Sequence, residues 1–278
     1  MRALLMLPIS VGLPFGGPVS ARERVADPRC RGGVRSSRGW FLVACLSQVL
    51  AGSAWGFTFV PTTAEWNAWP AYCRAKYSSL SLDMVFNSGY YGRVSPQEVA
   101  RTKAELGKAW DGVHHHCAGL SNFQRAVAAS QESQRKSLLK QAYGDTQYSL
   151  VRIDQTNVLY APMSVQMGLV ARAQGNWARA MQHFDAAIAA RPDLPDGYQG
   201  AAMIHRDRRD LEAARDILVR GNEAVGGGSA EIHYTLGLVL FDMKQYEAAA
   251  EHARRAYDLG YPLPGLRRKL ATAGVTVD

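Results

Sequence analysis

Residues 114–117, three histidines followed by a cysteine, are the densest group of side chains that could do chemistry. Imidazole and thiolate groups bind zinc and copper well, and His114 and Cys117 would share one face of a helix. Three consecutive helical residues fan out over about 200° and cannot all converge on one ion. We therefore expect no metal or other cofactor, and interpret the histidines as packing residues. A metal- or small-ligand-binding module using Cys73 and residues 114–117 is the alternative.

Cys73 and Cys117 are the two cysteines that remain if an N-terminal leader containing Cys30 and Cys45 is removed. An even number of cysteines in an exported chain suggests a disulfide, here Cys73–Cys117. The alternative is two separate buried thiols.

The sequence lacks the motifs by which many enzymes can be recognised. It contains no nucleophile elbow, phosphate-binding loop, haem-attachment motif or His-Glu-x-x-His motif. We therefore predict a protein that is not an enzyme.

The positive charge of the chain is concentrated at its front. The formal net charge is +8, and residues 1–56 hold seven arginines against two acidic residues. The remaining residues hold 25 basic and 22 acidic side chains, a net charge of only +3. Nucleic-acid binding requires a basic face rather than a basic leader, so we predict no nucleic-acid partner.

Residues 1–56 are predicted to be an export leader. Residues 39–64 carry no charge, arginines precede them, and residues 54–56 fit the small-x-small rule for cleavage before Phe57. Our hypothesis is that translation starts near Val34, so that residues 1–33 are a mis-assigned start and 34–56 the signal peptide. The alternative is an uncut membrane anchor over residues 40–60. Either case places the body outside the cytoplasm, in the periplasm or anchored and facing outward.

Residues 57–160 are predicted to form an aromatic-rich helical region. A capping box with proline at the first helical position predicts a helix from Pro96 to about Trp110, ended by Asp111 and Gly112. A long helix over 113–143, ended by Gly144, and a further helix over 145–160 should follow. These last two helices could be a degenerate repeat that opens the array behind them.

Residues 161–263 contain three units with a period of about 34 residues, at 161–194, 195–228 and 230–263. In each unit, small residues alternate with large ones at helical spacing. The first unit shows Gly168, Gly175, Trp177, Ala180, Phe184, Ala187 and Pro192. The third shows Leu236, Gly237, Tyr246, Ala249, Ala253, Ala256 and Pro262, and the second is weaker, with Tyr198, Ala201, Ala202, Leu211, Ala214, Leu218 and Gly221. Small residues should let paired helices approach closely, while Trp177, Phe184, Tyr198 and Tyr246 should fill the space between neighbours.

This stretch resembles the tetratricopeptide repeat family. The resemblance implies an all-α fold, an α-solenoid of three helix-turn-helix repeats within residues 161–278. Residues 264–273 should form a closing helix with Arg267, Arg268 and Lys269 on its outer side.

The resemblance also implies a concave groove, lined by the first helix of each repeat, that binds a peptide or helix of another protein. Carried over by position, the groove residues are Val165, Gln166, Leu169, Arg172, Gln199, Met203, Arg206, Tyr234, Leu238 and Phe241. They depart from the family's carboxylate clamp. A groove with apolar residues beside Arg172 and Arg206 would suit an amphipathic segment with some acidic residues. We therefore predict a protein–protein interaction scaffold or assembly factor in a cell-envelope complex, whose partner protein the sequence does not identify.

Overall fold

The computed structural model describes residues 59–80 and 89–277. The predicted leader, and nearly all of the stretch proposed as a membrane anchor, lie outside these residues. The regular elements of the described residues are twelve α-helices. None of these helices is both long enough and apolar enough to cross a membrane.

The first five helices precede the repeats. They are α1 (Thr63–Ala68), α2 (Ala71–Ser79), α3 (Pro96–Leu106), α4 (Ala109–Ala128) and α5 (Glu132–Leu150). The helix pairs of the three repeats are α6 (Tyr160–Ala173) with α7 (Trp177–Ala190), α8 (Pro195–Asp207) with α9 (Leu211–Ala224), and α10 (Ala230–Asp242) with α11 (Tyr246–Asp258). The closing helix is α12 (Gly265–Thr272). The all-helical, three-repeat fold class predicted from the sequence is confirmed.

The turns inside the three repeats share one backbone conformation. Gly175, Arg209 and Lys244 stand at equivalent places between the paired helices, and their φ angles are 75°, 65° and 62°. Positive φ angles are uncommon for residues other than glycine. The repeat of this geometry at three places shows that the units are built alike.

Close approach of the helices depends on glycines facing large side chains. A Cβ atom added at Gly168 would lie 2.6 Å from the Phe184 ring, and one added at Gly237 would lie 2.5 Å from Leu266. Phe184 is completely buried between the first two repeats. Trp177 differs from the prediction because 38% of its surface is exposed at the first turn of α7, so it does not fill the space between neighbours.

The helix boundaries before the repeats differ from those predicted. The break falls at Gly107, whose φ is 52°, and α4 runs through Gly112. Helix α5 likewise runs through Gly144, which was predicted to end a helix. Packing outweighs the low helix propensity of glycine here. The buried residues of α5 that face α4 are spaced at helical intervals across Gly144, namely Leu139, Ala142, Thr146 and Ser149.

A disulfide between Cys73 and Cys117 joins α2 to α4, with the two Cα atoms 5.7 Å apart. An aromatic cluster surrounds it. The Trp69 indole donates a hydrogen bond of 2.9 Å to Ser121, and the Trp69 and Tyr77 ring centroids are 4.6 Å apart. These contacts hold the first two helices against α4, which in turn packs along α5 beside the repeats.

Candidate partner-binding groove

The first helices of the repeats, α6, α8 and α10, each present four residues at the spacing i, i+3, i+7 and i+10. Residues at this spacing lie on one face of a helix. We call the surface formed by these twelve residues the inner face. Its residues are Pro162, Val165, Leu169 and Arg172 on α6, Asp196, Gln199, Met203 and Arg206 on α8, and Glu231, Tyr234, Leu238 and Phe241 on α10.

Two ion pairs between successive repeats set the register of the inner face. Arg172 Nη2 lies 2.6 Å from Asp207 Oδ2, and Arg206 Nε lies 2.6 Å from Asp242 Oδ2. In each pair, an arginine in the last turn of one helix reaches an aspartate in the last turn of the next. The three helices therefore lie side by side with equivalent turns adjacent.

Because of these ion pairs, the groove does not carry the unpaired positive charge that the sequence predicted. Arg172 and Arg206 were expected to attract acidic residues of a partner, but each is already paired with an aspartate of the next repeat. The Arg206 side chain is also nearly buried, with 8% of its surface exposed. An acidic ligand would have to displace a partner that is part of the same chain.

Five of the ten predicted groove residues keep a partly exposed side chain. These are Leu169, Arg172, Gln199, Met203 and Phe241. Val165, Tyr234 and Leu238 are at most 9% exposed and contribute mainly to the cores of their repeats. Gln166 points away from the inner face, because the next residue on a helix is rotated by about 100°. Its amide donates a hydrogen bond of 3.4 Å to the carbonyl of Gly119 in α4.

The middle of the inner face is apolar, and its accessible residues are Leu169 and Met203. Leu169, Met203 and Leu238 occupy the same position in the three repeats. At the third repeat, Phe241 replaces the arginine of the first two, and its ring lies 5.1 Å from Lys269 Nζ of the closing helix. Lys269 therefore places its ammonium over one face of the Phe241 ring, which stays partly exposed, rather than lying on the outer side of α12 as predicted.

One edge of the inner face is formed by residues that were not among the predicted groove residues. Asp196 and Glu231 lie in the first turns of α8 and α10, at equivalent positions three residues before Gln199 and Tyr234. Burial, and then the negative charge of Glu231, raise the pKa of the Asp196 carboxyl. Neither carboxylate forms an ion pair with another described residue, although Ser229 donates a hydrogen bond of 2.9 Å to Glu231. The i+3 spacing from the predicted groove residues could have revealed this edge.

The histidine cluster is part of the packing of α4. His116 is 1% exposed, and its Nε2 lies 3.2 Å from the Tyr72 hydroxyl. His115 Nδ1 lies 3.4 Å from the Asp145 carboxylate. Burial lowers the pKa of His114 and of His116 to about 3, so both rings are neutral at physiological pH.

The metal-binding alternative depends on the thiolates of Cys73 and Cys117, and the disulfide takes up both sulfur atoms. Among residues 59–80 and 89–277, no group of three or more histidine, cysteine or acidic side chains is arranged to hold a metal ion. The contacts that the structure shows for the histidines of α4 are therefore packing contacts and hydrogen bonds within the protein.

Stacked helix pairs, whose first helices share one accessible face, define a helical-repeat protein of the α-solenoid class. Residues 230–259, which contain the whole of α10 and α11, match the tetratricopeptide repeat. The other two helix pairs have the same register, turn geometry and inter-repeat ion pairs. The fold is therefore a tetratricopeptide-type α-solenoid, in which residues 230–259 match the family's repeat.

Three known proteins are similar to parts of the chain. The E3 ubiquitin-protein ligase CHIP of Arabidopsis thaliana is 30% identical over 81 residues, which are 29% of this chain and 29% of that relative, so the chain spans less than a third of its length. MamA (residues 41 to the end) from Desulfovibrio magneticus RS-1 is 19% identical with a TM-score of 0.40, over 54% of this chain and 82% of MamA. YrrB, described as a TPR protein with an unusual peptide-binding site, is 14% identical with a TM-score of 0.42, over 76% of this chain and 93% of YrrB.

Proposed function

We propose that this protein is a non-catalytic interaction scaffold that binds an apolar segment of another protein on its inner face. The observation that carries the proposal is the exposed part of Leu169, Met203 and Phe241. These side chains belong to three successive repeats, so one partner segment can contact all three. The tetratricopeptide repeat supports protein binding as the kind of function, because stacked repeats create an extended concave surface.

We further propose that the scaffold acts outside the cytoplasm, as an assembly factor in a cell-envelope complex. The uncharged stretch at 39–64, preceded by arginines, supports export. The Cys73–Cys117 disulfide supports it as well, because such bonds persist in oxidising compartments. Thiol labelling in intact cells and after reduction tests this proposal. Labelling of both cysteines without a reductant would contradict it.

Site-specific photo-crosslinking tests the groove. A photoreactive phenylalanine analogue is placed at Met203 on the inner face, and separately at Val219, which is 40% exposed on the second helix of the same repeat. We expect the variant with the photoreactive residue at position 203 to crosslink a partner protein in envelope extracts. In a separate affinity-capture experiment, the variant Met203→Glu should fail to capture that partner. Val219→Glu is the matched control and should leave capture unchanged.

The partner is then identified by its crosslinked peptide, whose sequence should contain an apolar segment. Equal crosslinking from positions 203 and 219 would contradict the proposal that the partner binds on the inner face. Full capture of the partner by the Met203→Glu variant would contradict it as well.

A further inference from the structure

We propose that the segment bound on the inner face is cationic, and that it seats a lysine or arginine side chain between Asp196 and Glu231 while its apolar residues contact Leu169, Met203 and Phe241. This inference rests on the proposed function and specifies the chemistry of the ligand. It reverses the charge expected from the sequence, which favoured an acidic segment.

The two carboxylates are placed to act together. Asp196 and Glu231 are the second residues of α8 and α10, and the inter-repeat ion pairs show that these helices lie side by side in register. Both residues are partly exposed at the same edge of the inner face. The charge of Glu231 also acts on the Asp196 carboxyl, so an ammonium or guanidinium group placed between the two side chains would interact with both carboxylates.

The charges of the inner face leave this edge negative. The arginines at the opposite edge are neutralised by Asp207 and Asp242, whereas Asp196 and Glu231 have no cationic partner among the described residues. Two carboxylates close together repel each other, and partial burial strengthens the repulsion. The raised pKa of Asp196, caused by burial and by Glu231, is consistent with this arrangement. A ligand cation would relieve it.

The geometry also sets the spacing within the ligand. Glu231 and Phe241 are ten residues apart on α10, so their Cα atoms are separated by about 15 Å. An extended segment covers this distance with about four to five residues. We therefore expect the basic residue about four to five positions away from the apolar residue that contacts Phe241.

Fluorescence anisotropy with three synthetic peptides tests the inference. The peptides share one leucine-containing sequence and carry lysine, glutamine or glutamate five positions from the terminal leucine. We expect the lysine peptide to bind about tenfold more tightly than the glutamine peptide, and the glutamate peptide to bind more weakly than either. Asp196→Asn combined with Glu231→Gln should remove the preference for lysine but leave binding of the glutamine peptide unchanged.

The matched control is Glu212→Gln combined with Glu247→Gln, which removes two acidic residues from the first turns of α9 and α11. This variant should keep the preference for lysine. Equal binding of the three peptides, or an equal loss of preference in the control, would overturn the inference while leaving the groove in place. Failure of every peptide to bind, or unchanged binding to Met203→Glu, would overturn the proposed function as well.

Discussion

His116, a side chain that could bind a metal ion, is instead part of the core. Its ring stacks on Tyr72, with the ring centroids 6.1 Å apart, and its backbone N–H donates to the Ser149 hydroxyl of α5. The Ser149 hydroxyl in turn donates to the carbonyl of Gly112. The ring is buried, and burial lowers its pKa because it disfavours the charged form, which has a consequence for stability.

We predict that protonation of His116 destabilises the fold in acid. The pKa of His116 is about 3 in the folded protein against a model-peptide value of 6.5, so the unfolded chain takes up the proton first. The stability contributed by the neutral ring is complete above about pH 6.5 and is lost as the pH falls from there towards 3. At pH 4.5 the loss should be about 2–3 kcal/mol from this residue.

Urea denaturation at pH 7.5 and pH 4.5 measures this loss in the wild type and in His116→Gln. The variant should be less stable at pH 7.5, but it should lose about 2–3 kcal/mol less than the wild type on acidification. An equal loss in the two proteins would show that His116 can take up its proton without unfolding.

At the scale of helices, the glycines of this chain fall into two groups. Gly168 and Gly200 face the buried Phe184 ring, and a Cβ atom at Gly200 would overlap the ring. Gly144 lies inside α5 on an exposed face with open space around it. Gly144 was predicted to end a helix because helix propensity is a local property of the sequence. The packing of α5 on α4 was not visible in that pattern.

We predict opposite effects of alanine at these two kinds of position. Gly200→Ala should destabilise the protein by about 1–3 kcal/mol, because the ring of Phe184 has no room to move in a filled core. Gly144→Ala should stabilise it by up to about 1 kcal/mol, since alanine is the better helix former. Thermal unfolding followed by circular dichroism gives the two changes.

The double variant Phe184→Leu, Gly200→Ala is the control. It should be more stable than Gly200→Ala alone, because leucine leaves room for the added methyl group. A Gly200→Ala variant at least as stable as the wild type would show that Gly200 does not face a filled space. A destabilised Gly144→Ala variant would contradict the prediction for Gly144.

At the scale of the whole described body, each repeat contacts its neighbours and the disulfide acts only at the front. The bond closes a loop with a sequence separation of 44 residues between α2 and α4. In the chain-entropy description, a crosslink over a loop of this size stabilises the folded state by about 4 kcal/mol. Because stability in a repeat array is a sum of local and nearest-neighbour contributions, this effect should stay near the crosslink.

We predict that reduction lowers the free energy of unfolding of the front helices by about 4 kcal/mol and leaves the third repeat unchanged. Amide hydrogen exchange with and without reductant should show faster exchange in α2, α3 and α4, and the same rates in α10 and α11. Cys73→Ala combined with Cys117→Ala is the control, and its exchange should not respond to reductant. A uniform loss of protection in α10 and α11 would contradict local action.

The sequence by itself determined the repeats. Their period, their small residues at helix contacts and the buried Phe184 and Tyr198 follow from patterns along a single helix pair, where side-chain spacing is fixed by helical geometry. The first helices of the repeats, and hence most of the inner face, could be located from these patterns alone.

Only the tertiary structure decided the charge of the inner face. Arg172 and Arg206 find their partners 35 and 36 residues further along the chain, at distances set by how one repeat stacks on the next. The same stacking brings Asp196 and Glu231 to one edge, where their charges stay unpaired within the described residues. Electrostatic interactions depend on distance in space and on burial, and neither can be read from the spacing of residues within one helix.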